Sequence, residues 1–146
     1  MTEGDETTAR IVVGVDGSEP SRKALRWALA QARRQNAAVV AVIGREFPTT
    51  SSWVVVPAAD LKAAARQALA DVVEQERHTA PEVALDTRIE HGHPARVLID
   101  TAHGADLLVV GSRGLGGFTG TLLGSVSRYC AEHATCPVLV MRDEST

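Results

Sequence analysis

Three short runs of nearly unbroken apolar residues constrain this chain more than any other feature. They are the strand-like stretch Arg10 to Asp16 (Arg-Ile-Val-Val-Gly-Val-Asp), Ala37 to Ile43, and Leu107-Leu108-Val109-Val110 between Asp106 and Gly111. A strand with one wet face alternates apolar and polar residues. A solid run fits a strand covered on both faces, as in parallel sheets flanked by helices.

Between the runs the period changes. Ser18 and Pro20 signal a helix start, after which Ala24, Leu25, Ala28, Leu29 and Ala32 recur with helical spacing, opposite most of Arg22, Lys23, Arg26 and Arg33. A second amphipathic helix runs through Leu61, Ala65, Ala68, Leu69, Val72 and Val73 and should end near His78 to Pro81. Pro94 opens a third, with Val97, Leu98, Ile99 and Ala102, ending by Gly104. A fourth, from Gly124-Ser125, places Val126, Tyr129, Cys130 and His133 on one face.

Two further strands read as edges. Val83, Leu85, Thr87 and Ile89 alternate with polar neighbours, and Pro137 to Met141 opens on a proline. The order β-α-β-α-β-α-β-α-β with right-handed crossovers gives an open parallel sheet, an α/β fold with helices on both faces. With the third and fifth strands outside, the strand order is 3-2-1-4-5.

At 146 residues the chain suits one domain, expected over residues 10–142 with tails at 1–9 and 143–146. Aromatic residues are only 3 %, so the core must rest on Val, Leu, Ala and Ile. A net charge of -3, with no basic block, argues against nucleic acid as a partner. No apolar stretch approaches the ~20 residues needed to span a membrane, and Met1 to Arg10 lacks the signature of a signal peptide, so a cytoplasmic location is expected. Cys130 and Cys136 fit neither a redox nor a zinc spacing and read as buried structural thiols. His91 and His93, flanking Gly92, have no third ligand at readable spacing and read as a strand-to-helix turn rather than a metal site.

In that sheet the connections diverge from strands one and four, and ligands bind where the direction reverses. Gly14 to Gly17 should therefore face Val110 and Gly111 to Gly114. The second loop runs from Gly111 to Ser127, and five of its first ten residues are glycine. Glycine lets backbone N–H groups approach an anion, and Gly124-Ser125 opens a helix whose unpaired N–H groups favour a phosphate. Ser125 and Ser127 add hydroxyl donors, and Arg113 is the cation within the loop. The chain contains neither a P-loop nor a dinucleotide fingerprint after its first strand. A mobile turn with Ser125 as a cap is the plain alternative.

Gly111, Gly114, Gly124 and Ser125 fill the pattern Gly-x2-Gly-x9-Gly-[Ser/Thr]. With Val-Gly-Val-Asp-Gly-Ser early and Leu-Leu-Gly-Ser-Val-Ser late, the chain resembles the universal stress protein family, in its ATP-binding branch. The resemblance implies an adenine nucleotide alpha-hydrolase-like, Rossmann-like fold. It assigns ribose and phosphate contacts to Gly111, Gly114, Gly124, Ser125, Val126 and Ser127. It puts Asp16 near the adenosine, where it would also meet any Mg²⁺, and gives the backbone contact to adenine to Val42. The ending Val-Ile-Gly-Arg departs from the more polar one usual there. The implied function is binding of ATP, or of AMP or cyclic AMP, by a stress-response regulatory protein that pairs as a homodimer through its last strand. A slow ATPase or an autophosphorylating enzyme is the alternative. It is disfavoured because phosphoryl transfer wants a charge-neutralising lysine that the loop lacks. The patch Trp53 to Val56 reads equally as a packed loop, an interface or a cover for the nucleotide.

Overall fold

The computed structural model describes residues 9–47, 58–113 and 123–142. Gly114 and the patch Trp53 to Val56 lie outside the described residues. The chain order is β1 (Arg10–Gly14), α1 (Glu19–Gln35), β2 (Ala38–Arg45), α2 (Ala58–Arg77), β3 (Leu85–His91), α3 (Pro94–Thr101), β4 (Leu107–Gly111), α4 (Ser125–His133) and β5 (Val138–Met141). The strands form one sheet in the order β3-β2-β1-β4-β5, every neighbouring pair parallel, as the sequence pattern requires.

The solid apolar runs divide residue by residue between two core layers, because successive side chains in a strand point to opposite faces. Ile11, Val13, Val39, Ala41, Ile43 and Val109 pack with Ala24, Leu25, Ala28 and Leu29 of α1 and Ala65, Leu69 and Val72 of α2. Val12, Val40, Val42, Leu108 and Val110 pack with Val97 and Leu98 of α3 and Cys130 of α4. Each such aliphatic side chain contributes about 1.5–3 kcal/mol of burial, so the three central strands carry most of the stability.

The edges differ from the centre. In β3, Asp86, Thr87, Arg88 and Glu90 are exposed, while Leu85 and Ile89 reach the layer under α2. The strand begins at Leu85, later than the alternation from Val83 indicates, and Val83 is buried just ahead of it. In β5 all four residues are half-buried.

Two glycines set the distances at which helices meet strand ends. A Cβ on Gly111 would lie 2.8 Å from Pro20 Cβ and 3.0 Å from the Pro20 carbonyl carbon, so the end of β4 sits directly against the first turn of α1. A Cβ on Gly44 would lie 2.7 Å from Val97 Cβ, so β2 runs past its last apolar residue, Ile43, and still packs under α3. β2 therefore ends at Arg45, beyond the limit that apolar patterning gives.

Candidate functional site

β1 and β4 are neighbours, but the chain leaves them in opposite directions, toward β2 and toward β5. The diverging connections open a crevice beyond the strand ends. A cleft of about 560 Å³ lies there, and Gly14, Val110 and Gly111 line it where the two strands finish. Arg113 also lines it, the last described residue before the glycine-rich loop.

On one side stands the first turn of α4, with Gly124, Ser125, Val126 and Ser127 all on the cleft wall. Gly124 is the N-cap, in extended conformation (φ -75°, ψ 174°), and among the described residues no side chain caps this helix. The first bond of the helical ladder runs from Arg128 N–H to Gly124 C=O at 3.0 Å. The N–H groups of Ser125, Val126 and Ser127 precede that ladder, and with the helix dipole they favour an anion. The turn is held by Ser112, which is buried. Ser112 N–H donates to Met141 C=O at 2.7 Å, and its own C=O accepts from Gly124 N–H at 2.6 Å and from Ser127 Oγ at 2.9 Å.

The Ser127 hydroxyl is engaged within the turn. Its hydroxyl has a single proton, and that proton faces the carbonyls of Ser112 and Gly124 (2.9 and 3.1 Å). Ser127 therefore offers an incoming anion its backbone N–H, while its side chain fixes the turn. Sequence spacing gave no sign of this, because Ser112 lies on the far side of the glycine-rich loop.

Opposite α4, Asp16 lines the cleft beyond β1. Its Oδ1 accepts from Ser18 N–H at 2.9 Å, an Asx turn that leads into α1. One oxygen of Asp16 thus shapes the turn, and the carboxylate borders the cleft.

Val42 lines the cleft as well. Its carbonyl, however, accepts from Val15 N–H at 2.9 Å, and its Cα partner in β1 is Gly14, the last residue of that strand. A strand residue's N–H and C=O project to the same side, and the side alternates along the strand. Arg45 C=O faces β3, where it accepts from Gly92 N–H at 3.0 Å. Gly44 therefore faces the β1 side, one step beyond the last β1 pairing, and it lines the cleft. The Val42 carbonyl is thus engaged within the sheet, and Gly44 is the next residue directed the same way.

Sequence reasoning also missed Arg45, Glu46 and His93 on the cleft wall. The first two sit at and past the unexpected end of β2. His93 is the N-cap of α3, its Nδ1 accepting from Ala95 N–H at 3.2 Å. The signal for it was present: a histidine directly before a first-turn proline.

Away from the cleft, burial pushes the Cys130 thiol up to about 11, which keeps it a neutral core side chain. Cys136 is half-buried and its thiol is raised by the same cause. Glu76, buried under α1, is held below the usual carboxylate range by two hydrogen bonds from Arg26 at 2.7 and 3.0 Å, an α1–α2 staple. No helix among the described residues is long and apolar enough to cross a membrane.

Comparison with known proteins agrees with this architecture. Residues 7–142 match the universal stress protein family. A universal stress protein of Mycobacterium tuberculosis is 36 % identical over 138 residues, covering 94 % of this chain, which spans about half (46 %) of that longer relative. The structure of universal stress protein UspA from Lactobacillus plantarum superposes with a TM-score of 0.79 at 26 % identity, covering 92 % of this chain and 97 % of the other. A universal stress protein solved in complex with cAMP superposes with a TM-score of 0.72 at 28 % identity, over the same shares of both chains. The fold is the adenine nucleotide alpha-hydrolase-like one of those structures, and the chain belongs to the universal stress protein family.

Proposed function

We propose that the cleft binds an adenine nucleotide, ATP foremost, with AMP and cyclic AMP accepted by the same backbone donors. Occupancy then acts as a regulatory signal in a cytoplasmic stress response rather than as a step of catalysis. The unit that binds is read as one domain over residues 10–142. The observation that carries the reading is the first turn of α4, which lines the cleft and whose N–H groups have no side-chain cap among the described residues. The cAMP complex of a relative supports the same ligand class.

Gly44 gives the reading a base preference. Its N–H and C=O, side by side, match adenine, whose N1 accepts while N6 donates. Guanine inverts both, with N1 donating and O6 accepting. Phosphates meet the α4 turn with Gly111, Gly114 and Arg113 nearby, and a Mg²⁺ travelling with them would meet Asp16. Four or five charge-assisted bonds, less the cost of ordering the loop, leave about 8 kcal/mol, which is micromolar affinity.

No lysine lines the cleft among the described residues, which weighs against phosphoryl transfer. The reading also pairs two copies through β5. That edge offers four half-buried apolar residues, whereas the β3 edge is guarded by Asp86, Arg88 and Glu90.

The test is to identify nucleotide released from purified protein and to titrate ATP, AMP, cyclic AMP and GTP by calorimetry. Micromolar binding of the adenine compounds is expected, with GTP at least about tenfold weaker. If no adenine nucleotide binds, the proposal is wrong. Equal binding of GTP removes the role of Gly44. Continuous phosphate release that disappears in Asp16→Asn would establish the enzyme instead.

A further inference from the structure

The segment that closes the nucleoside side of the cleft is held by two histidines acting alike. His91, the last residue of β3, accepts Phe47 N–H at its Nδ1 (3.0 Å), and its ring lies against the buried Phe47 ring, centroids 6.0 Å apart. This bond fixes the chain as it leaves β2, immediately after the cleft residues Arg45 and Glu46. His93, two residues on, accepts Ala95 N–H at its Nδ1 and lines the cleft itself. Between them Gly92 turns the chain at φ +144° and donates its N–H to Arg45 C=O. The exit of β2 and the entry of α3 are thus joined through one three-residue hinge.

Both bonds impose the same chemical requirement. A ring nitrogen that accepts a backbone N–H carries no proton, so each imidazole must be neutral with its hydrogen on Nε2. Both histidines are exposed, open to proton exchange with solvent. Protonation at Nδ1 turns the acceptor into a donor facing another donor, and the bond becomes a repulsion. Imidazole is the side chain that changes charge between about pH 5 and 8.

We infer that His91 and His93 are positioning residues that form a proton-sensitive latch on the nucleoside wall. Nucleotide binding is then strong when both rings are neutral and weakens as pH falls. The inference rests on the nucleotide reading above.

Charges of both signs surround the latch. Arg45 is the register partner of His91, Glu90 precedes it in β3, and Glu46 follows the end of β2. Around His93, Asp16 and Glu46 border the cleft together with Arg45 and Arg113, and Arg96 follows on α3. From α4, Tyr129 stands 6.5 Å from the His93 ring, with His133 4.2 Å beyond it and Glu132 paired to His133. Because both Nδ1 atoms accept a backbone N–H in the closed latch, closure and protonation at Nδ1 exclude one another.

The experiment uses cyclic AMP, whose phosphodiester gains no proton in the working range. It is titrated into the wild type and into His91→Asn, His93→Asn at about pH 8 and about pH 5.5. Asparagine places Oδ1 where the imidazole holds Nδ1, accepts the same N–H, and does not titrate. Wild-type affinity should fall about three- to tenfold on acidification, the loss of one to two ordinary hydrogen bonds, while the variant binds equally at both values. In the wild type, the amide resonances of Phe47 and Ala95 should shift in step with the imidazole Cε1 protons, a readout that needs no variant. Wild-type binding that does not change with pH, an equal decline in the variant, or amides that ignore the imidazole titration would each overturn the latch alone. If cyclic AMP, AMP and ATP all fail to bind at about pH 8, the nucleotide reading and the latch fall together.

Discussion

Two helices begin within reach of the same cleft, and their first turns are built in opposite ways. At the start of α1 the donors are consumed internally. Ser18 N–H goes to Asp16 Oδ1, Pro20 has no N–H, and Ser21 N–H goes to Ser18 Oγ at 3.3 Å. Ser21 Oγ then returns its proton to Ser18 C=O at 2.9 Å, and Glu19 places a carboxylate at the positive end of the dipole. At the start of α4 there is no acidic residue in the first turn and, among the described residues, no side-chain cap. Its one hydroxyl of known direction, Ser127, points back at carbonyls. A helix start that satisfies itself supports a scaffold. One left open is a ready place for an anion.

The largest effect should come from giving α4 the kind of cap that α1 has. Gly124 already holds the extended backbone an N-cap needs, so Gly124→Asp can turn its carboxylate onto the α4 N–H groups. It would then occupy the anion's position and repel phosphate. ATP affinity should drop by about a hundredfold or more, roughly 2.7 kcal/mol, while thermal stability of the free protein stays level or rises by a few tenths of a kcal/mol. Calorimetry and a thermal melt on one preparation measure both. A stable variant that still binds ATP at wild-type affinity would show that the open turn is not the phosphate site.

A smaller effect is expected where the two regions touch. Gly111→Ala puts a methyl group 2.8–3.1 Å from Pro20 and Ser21 N, contacts that include backbone and cannot yield by rotating a side chain. The strain should cost about 1–3 kcal/mol, read as a lower midpoint in urea. It should also weaken nucleotide binding, because it pushes α1 away from the end of β4. Unchanged stability would mean that α1 and β4 are not packed as closely as the structure has them.

The sequence disclosed these two regions unequally. Ser18 and Pro20 announce a capped start because their partners are three residues away or fewer, and local chemistry repeats in every chain. The glycine start of α4 was legible in Gly124-Ser125, and the strand order in the contrast between solid runs such as Leu107 to Val110, which fit buried strands, and the alternating or proline-led edges. Contacts made across the fold stayed hidden. Nothing local says that Ser127 turns toward Ser112, or that Gly111 is glycine because of Pro20 as much as for any ligand. The end of β2 was misjudged because patterning stops at Ile43, whereas the pairing of Arg45 with His91 and the seat of Gly44 under Val97 extend it by two residues. Those two residues bring Gly44 onto the cleft wall beside Val42.

The smallest effect should follow from opening the α1 start. Ser18→Ala removes the acceptor for Ser21 N–H but leaves Asp16 Oδ1 on the N–H of residue 18, which every residue but proline retains. The loss of an N-cap side chain costs about 1 kcal/mol, a fall in melting temperature of about 2–4 °C for a domain of this size. Ser18 does not line the cleft, so ATP affinity should change less than about twofold. Together with Gly124→Asp this makes a double dissociation, with stability lost at one helix start and binding lost at the other. If Ser18→Ala instead weakened ATP as strongly as Gly124→Asp does, both starts would be serving the ligand. The distinction between a self-satisfied turn and a receptive one would then have to be abandoned.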